Sequence, residues 1–266
     1  MDADTLKTMA IQILSYTVTR MLFEQEVLPQ NASVLEFGEA NWYGDVDNKT
    51  LTEDIEKYAT VDKERKDLLA WLDKANNSDE QTRLFDTAKI FYRLFYGCKA
   101  VEAIDLNGTE ASTKHDLNED LVRDDLVDVT INNGTAEHVF FAGRVFQSMH
   151  QCTKPGGLMV HEGPLINGWV DHGFYNFQPT LFFDLARHND YDTLFFIGQI
   201  DPFMMVQLDG PDDVPAITED PDFPANPVFF VVFRKSDEDK DFAVPMQGYY
   251  EGTVSDAARE NWRRMR

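Results

Sequence analysis

Acids, glycines and histidines in this chain sit at the ends of short apolar runs. Ser33-Val34-Leu35-Glu36-Phe37-Gly38 ends in a carboxylate and a glycine, and Ala100-Val101-Glu102-Ala103-Ile104-Asp105 ends in a second acid. Lys154-Pro155-Gly156-Gly157-Leu158-Met159-Val160-His161-Glu162 leaves a histidine and a glutamate at its tip. A glycine at a strand end lets backbone approach a ligand, and a carboxylate at the next strand end can accept two hydrogen bonds from a ribose diol. Glu36, Gly38 and Asp105 therefore read as a nucleoside-binding arrangement, although any one of them alone is equally a solvated strand end. Histidine adds proton transfer, since its ring titrates at roughly 6.5. His138, His161 and His172 fall in segments that should converge over the strand ends. His172, in a glycine-flanked aromatic loop, is the first candidate for a base or acceptor-orienting group and His138 the second. The structural alternative for each is an ordinary hydrogen-bonded or surface histidine. Glu137 and Glu162 read as positioning groups or caps.

These residues need a scaffold that gathers strand ends, and the order of apolar periodicities supplies one. Leu6, Met9, Ile13, Leu14, Val18, Met21 and Leu22 predict an amphipathic helix over Thr5–Gln25. A strand over Ser33–Gly38 follows, then helices over Thr52–Ala75 and Asp79–Gly97. Strands are expected at Ala100–Gly108 and Leu126–Gly134, and a helix over Glu137–Cys152 is stopped by the Lys-Pro-Gly-Gly turn. Leu158–His161 then forms a strand, Phe177–His188 a helix, and Tyr191–Ile200 and Pro227–Arg234 two last strands. Alternation of this kind predicts a doubly wound α/β fold: a mostly parallel sheet with helices on both faces, closed by an antiparallel pair at one edge. The expected organisation is an N-terminal helical cap over residues 1–32 and a main domain over 33–266 carrying a helical insertion at about 45–98.

Composition narrows the function. The chain has 266 residues, with 47 Asp and Glu against 24 Lys and Arg, a formal charge of -23. Binding to nucleic acid through phosphate neutralisation is disfavoured by that balance. The 2 cysteines lack metal-ligand spacing, and a reducing, cytoplasmic setting is expected. No apolar run approaches a membrane span, so no membrane partner is expected.

Taken together, Val34-Leu35-Glu36-Phe37-Gly38, Asp105, Asp116-Leu117 and the Lys154-Pro155-Gly156-Gly157 turn resemble the class I S-adenosylmethionine-dependent methyltransferases, over most of the chain from Ser33 to Arg234. The resemblance implies a Rossmann-like methyltransferase fold with a seven-stranded sheet and S-adenosyl-L-methionine as cofactor. It implies that Glu36 and Gly38 form the cofactor turn, that Asp105 with Leu106 holds the ribose, and that Asp116 and Leu117, after a third strand, bracket the adenine. Asn132, Asn133 and Gly134 would face the methyl-transfer centre. Lys-Pro-Gly-Gly would launch the fifth strand and deliver His161 and Glu162 to the rim, where Trp169, Tyr175, Asn176 and Gln178 are further acceptor contacts. Two features depart from the pattern. Glu39-Ala40-Asn41 stands where further glycines are usual, and an inserted helical segment separates Gly38 from Asp105.

Methyl transfer from a sulfonium is an in-line displacement, so the protein aligns, excludes water and removes a proton when the acceptor is a hydroxyl. The reading is a methyltransferase acting on oxygen or nitrogen of a small, sugar-like or natural-product acceptor, possible as a homodimer through the first helix. His138, His161, Glu162 and His172 are residue types that bind divalent metals, but their spacing has no specific signature and no metal site is assigned. Two other readings stay open: a nicotinamide-dependent oxidoreductase, for which no G-x-G-x-x-G follows the first strand, and a non-catalytic scaffold in which the glycine turn has decayed.

Overall fold

The computed structural model describes residues 10–98, 100–166, 168–201, 204–218 and 225–264. The start of the expected first helix, Thr5 to Met9, lies outside them. Two compact units are present. The first holds the described residues up to Asp116 together with Val127–Asn133, and the second holds Leu117–Leu126 and the described residues from Gly134 onward.

In the first unit the chain opens with β1 (Ala10–Ile11), which pairs in parallel with β3 (Asn41–Trp42). The helical period of the sequence continues through Ala10 and Ile11, but this pairing draws them out of the helix, so α1 runs only over Ile13–Glu24. Between them β2 (Val34–Phe37) is buried at all four positions, as expected for a short apolar run at the centre of a parallel sheet. The insertion forms α2 (Asn48–Tyr58), α3 (Asp62–Asn76) and α4 (Glu80–Tyr96). The expected single helix over Thr52–Ala75 is thus two, broken at Ala59, whose carbonyl accepts from Arg65 Nη1 (3.1 Å). Asp47 and Asp79 cap α2 and α4 by accepting from Thr50 N (2.7 Å) and Thr82 N (3.0 Å), and Gly97 ends α4 in the left-handed region. Tyr16, Trp42, Phe91 and Phe95 pack around one another, edge-on except for the tilted Tyr16–Phe91 and Trp42–Phe91 pairs, which fastens α1 to α4. β4 (Val101–Ile104) and β5 (Val127–Asn133) lie in parallel on either side of β2, with Phe37 opposite Ile104 and Asn132.

The second unit begins its regular structure with a 3₁₀ turn, Ala136–His138. The expected helix from Glu137 starts only at α5 (Ala142–Cys152). The reason is a contact distant in sequence: the Glu137 carbonyl, which a helix would use for its own ladder, accepts instead from Phe174 N (2.8 Å) and Tyr175 N (3.3 Å). β6 (Thr153–Pro164) follows, with Lys-Pro-Gly-Gly inside its first half rather than ahead of it. Then come α6 (Pro179–Asn189), β7 (Asp192–Asp201), β8 (Met204–Gln207), α7 (Pro215–Thr218), β9 (Val228–Arg234), α8 (Gly248–Glu251) and α9 (Asp256–Arg264). β9 pairs antiparallel with both β6 and β7, and β8 antiparallel with β7. Phe182 of α6 is fully buried against Phe229, Phe196 and Phe177.

The seven-stranded sheet has the order β4-β2-β5-β6-β9-β7-β8 and is mostly parallel with antiparallel closing strands. Two details differ from expectation. The segment before Asp116, where the resemblance implied a third strand, pairs only at Thr113, through a single bridge to Ile104, because a tight turn at Thr109–Ser112 (3.1 Å) brings the chain in too late for a ladder. The closing pair is not a simple edge hairpin either: β9 sits inside, between β6 and β7, and β8 forms the edge.

Gly156 has φ 73°, and a Cβ there would lie 2.7 Å from Asp237 Oδ1. An L-residue in that conformation costs about 1–2 kcal/mol. Gly156→Ala is therefore expected to lower Tm by about 2–6 °C in thermal unfolding; an unchanged Tm would mean that the turn relaxes to a negative φ.

Candidate active site

The strand ends of the first unit form one polar centre. Glu36, near the end of β2, is 4% exposed and accepts from Tyr92 Oη of α4 (2.5 Å). Burial raises its carboxyl to about 8, against which the Tyr92 hydrogen bond acts. One residue beyond the strand, Gly38 takes φ 87° and donates its N–H to the Ile104 carbonyl (2.8 Å), a backbone path that a side chain would strain. Glu39 N then donates to Asp105 Oδ2 (2.9 Å), and Asn107 N to Asp105 Oδ1 (2.7 Å). The expected cofactor glycine and the expected ribose carboxylate are thus joined through one peptide.

The fit of these residues to a nucleoside is chemically sound but sterically close. An ionised carboxylate has about four acceptor positions, and the chain's own N–H groups take two of Asp105's, leaving enough for a diol. The Asp105 carboxylate is, however, buried (7% exposed), because the turn after it folds back. A Cβ on Gly108 would meet Asp105 Cβ and Glu39 Oε2 at 2.9 Å. The Glu39 carboxylate, 4% exposed, accepts from Thr109 N (2.6 Å) and Thr109 Oγ1 (2.9 Å), with Lys89 Nζ at 3.7 Å. Where further glycines were expected, a buried acid holds the Thr109 turn. A groove of about 490 Å³ opens beside it, lined among others by Gln81, Phe85, Lys89, Gly108 and Thr109. Leu106 is exposed and Asp116 half-buried, whereas Leu117, in the second unit, is buried. Asn132 and Asn133 are buried at the end of β5.

In the second unit the structure gathers Glu137, His138 and His172. The 3₁₀ turn presents Glu137 and His138 side by side, and the loop Gly168–Gln178 brings His172 over them, with His172 Nε2 3.7 Å from Glu137 Oε1. The His138 and His172 rings lie 4.9 Å apart, and Trp169 covers the other side of His172 at 4.8 Å. Trp169 is anchored by its N–H on Asn226 Oδ1 (2.6 Å) and its indole N–H on the Pro227 carbonyl (2.7 Å). Burial pushes the His138 ring below its ordinary value, with Glu137 acting against it. Glu137 is 1% exposed while the His172 side chain is 21% exposed, so this centre opens to solvent through His172.

The other expected rim residues separate. His161 does not reach a rim: it is 2% exposed, ringed by Phe146, Phe182 and Phe233, and burial lowers it to about 3. Apolar packing on both sides of β6 holds it inside. Glu162 is also buried, its carbonyl accepting from Gly134 N (3.0 Å). Tyr175 donates to the Phe140 carbonyl (2.6 Å) and Asn176 Nδ2 to the Gly168 carbonyl (2.8 Å), so both shape the loop. Gln178 is the exposed N-cap residue of α6. Sequence reasoning missed Tyr92 and Thr109: the first is indistinguishable from the apolar face of α4, and the second is one polar turn residue among several.

The strand order settles the architecture: β2 is flanked in parallel by β4 and β5, a glycine turn follows β2, an acid ends β4, and β9 inserts antiparallel between β6 and β7. The chain has the doubly wound, mostly parallel α/β fold with antiparallel closing strands that the resemblance implied. No family model matches the chain and no curated protein matches it. Solved structures similar to it include a Mesorhizobium loti S-adenosylmethionine-dependent methyltransferase, at 12% identity and TM-score 0.46 over 84% of this chain and 98% of that one. Another is the Burkholderia thailandensis 1,6-didemethyltoxoflavin-N1-methyltransferase with bound 1,6-didemethyltoxoflavin and S-adenosylhomocysteine, at 14% identity and TM-score 0.44 over 83% and 77%. A third is the N-methyltransferase NodS of Bradyrhizobium japonicum, at 12% identity and TM-score 0.43 over 89% and 99%.

The raised Glu36 carboxyl has a stability signature. Its folded value of about 8 exceeds the ordinary 4.5, so the native state holds a proton that the unfolded chain has lost. Stability should therefore fall as pH rises from 4.5 to about 8. Glu36→Gln keeps an acceptor for Tyr92 and should flatten that part of the Tm-versus-pH curve; an unchanged slope would assign the titration elsewhere.

Proposed function

We propose that the protein is an S-adenosylmethionine-dependent methyltransferase acting on an oxygen or nitrogen of a small molecule. The observation that carries this reading is the junction of Gly38 and Asp105 through the Glu39 peptide at the ends of adjacent parallel strands. Gly38 would let backbone lie against the cofactor, Asp105 would hold the ribose diol with its remaining acceptor positions, and Leu106 would offer an apolar face beside it. Asp116, Leu117, Asn132, Asn133 and Gly134 complete the proposed cofactor-binding set. When bound, S-adenosylmethionine supplies an electrophilic methyl group.

The chain's own task is then alignment, exclusion of water and handling of the acceptor proton. His172 is the proposed catalytic group, with Nε2 facing Glu137 and its ring open to solvent. His138, kept neutral by burial, is the second. Trp169 and Tyr175 would wall the acceptor, while His161 and Glu162, being buried, would act only by holding β6 in place. A net charge of -23 favours a small acceptor over a polyanion.

Calorimetric titration with S-adenosylmethionine and S-adenosylhomocysteine tests this. Micromolar binding of either is expected, with affinity at least tenfold lower in Asp105→Ala. That substitution also orphans the buried Glu39 and Asn107 N–H groups, at about 1–3 kcal/mol, so the comparison is made on protein shown to be folded by circular dichroism. Equal affinity in the folded variant would remove Asp105 from the site, and no binding to the wild type would overturn the cofactor reading. In a screen of hydroxyl and amine acceptors, His172→Ala is expected to lose about 100-fold or more in turnover with cofactor affinity retained. Full turnover would eliminate His172.

A further inference from the structure

Glu137, His138 and His172 are under-satisfied as an ordinary hydrogen-bonded group. Glu137 is 1% exposed, and its Oε2 has no hydrogen-bond partner among the described residues. His138 Nε2 is likewise buried with none. A buried, unpaired carboxylate oxygen or imidazole nitrogen is costly, and here two such atoms belong to adjacent residues. One ligand atom from each of the three side chains lies within 4.8 Å of the others.

An ion pair between His172 and Glu137 does not resolve this. That contact, at 3.7 Å, engages Glu137 Oε1 and the His172 ring only, so Glu137 Oε2 and His138 Nε2 stay orphaned. A proton placed anywhere in the cluster meets one of these atoms and leaves the others. A cation bonded to all three side chains gives the cluster one shared partner, because a carboxylate and two imidazoles can each direct a lone pair at one point.

The loop is built to keep His172 there. Trp169 and Asp171 adopt φ 54° and 59°, an uncommon conformation for residues other than glycine. Such strain persists only where surrounding structure enforces it, often at functional sites. Gly173 allows the approach, since a Cβ on it would lie 2.9 Å from the Glu137 carbonyl and 3.1 Å from His138 Nδ1. The N–H groups of Phe174 and Tyr175 then fasten the loop to the Glu137 carbonyl. Two histidines and one carboxylate suit first-row divalent ions, and a site with three protein ligands leaves positions open for water or substrate. His172 marks the open side.

We propose that Glu137, His138 and His172 bind a divalent first-row metal ion, with its free coordination positions on the solvent side of His172. The existence of the site does not depend on methyltransfer. Its use there, to hold the acceptor's attacking atom in place of direct proton removal by His172, rests on the function proposed above.

Chelator-stripped protein would be titrated with zinc(II) and with cobalt(II), reading stoichiometry by calorimetry and ligand-field bands by visible absorption. One ion per chain is expected, with bands showing nitrogen and oxygen ligation and a higher Tm in the bound form. Glu137→Gln, His138→Gln and His172→Gln should each lower affinity at least tenfold, whereas His188→Gln, whose ring pairs with Glu251, should not. His172→Gln, at a position less buried than Glu137, keeps the test valid where a buried variant fails to fold. Absence of stoichiometric binding to folded wild type would overturn the proposal, as would affinity unchanged in His172→Gln. A parallel S-adenosylmethionine titration separates the two readings. Cofactor binding without metal binding sinks the metal site alone, and metal binding without cofactor binding sinks the methyltransfer reading alone.

Discussion

Register in the parallel strands of the first unit is the constraint from which the rest follows. Phe37 stands opposite Ile104 on one side and Asn132 on the other, so the chain leaves all three strands at the same level. Gly38, Asp105 and Asn133 are each the residue just at or beyond that level, and they become neighbours without any sequence proximity. A slip of one residue would turn Glu36 to the other face of the sheet and take it from Tyr92. Four consecutive buried positions in β2 make such a slip expensive, and the site inherits its precision from the apolar core below it.

Polar burial is handled differently in the two units. In the first, four buried acids each have donors: Glu36 has Tyr92, Glu39 has Thr109, Asp105 has two backbone N–H groups, and Asp54 has Tyr16 and Arg20. The second unit includes a comparable case in Lys235, 3% exposed, whose Nζ donates to the carbonyls of His150 and Thr153, each at 2.9 Å. Glu137 and His138 break that economy. Unpartnered buried atoms on Glu137 and His138, close to a third ligand-bearing side chain in His172, point to a ligand rather than to loose packing.

The inserted helices have a structural role that their length alone hides. Tyr92 of α4 reaches the β2 acid, and Lys89, one turn earlier on the same helix, lies near Glu39. Glu39 in turn holds the Thr109 turn over Asp105. The insertion and the altered glycine turn are therefore one adaptation: the position that glycine would leave empty is filled by an acid, and a helix supplies the partners that make its burial tolerable.

The amino-acid sequence alone carries the alternation of helices and strands, the mostly parallel sheet, and the glycine and acid that follow β2 and β4. These are written in local periodicity and in residue types that only certain backbone positions accept. It could not place β8, the single bridge at Thr113 or the late start of α5, because those depend on which distant groups claim a backbone carbonyl or N–H. Nor could it separate the histidines. His161 and His172 look alike in a string of letters, yet packing of Phe146, Phe182 and Phe233 turns one into core, while Gly173 lets the other close on Glu137. Which polar residues meet is decided by tertiary contacts between segments far apart in sequence, and solvation and protonation follow from that meeting.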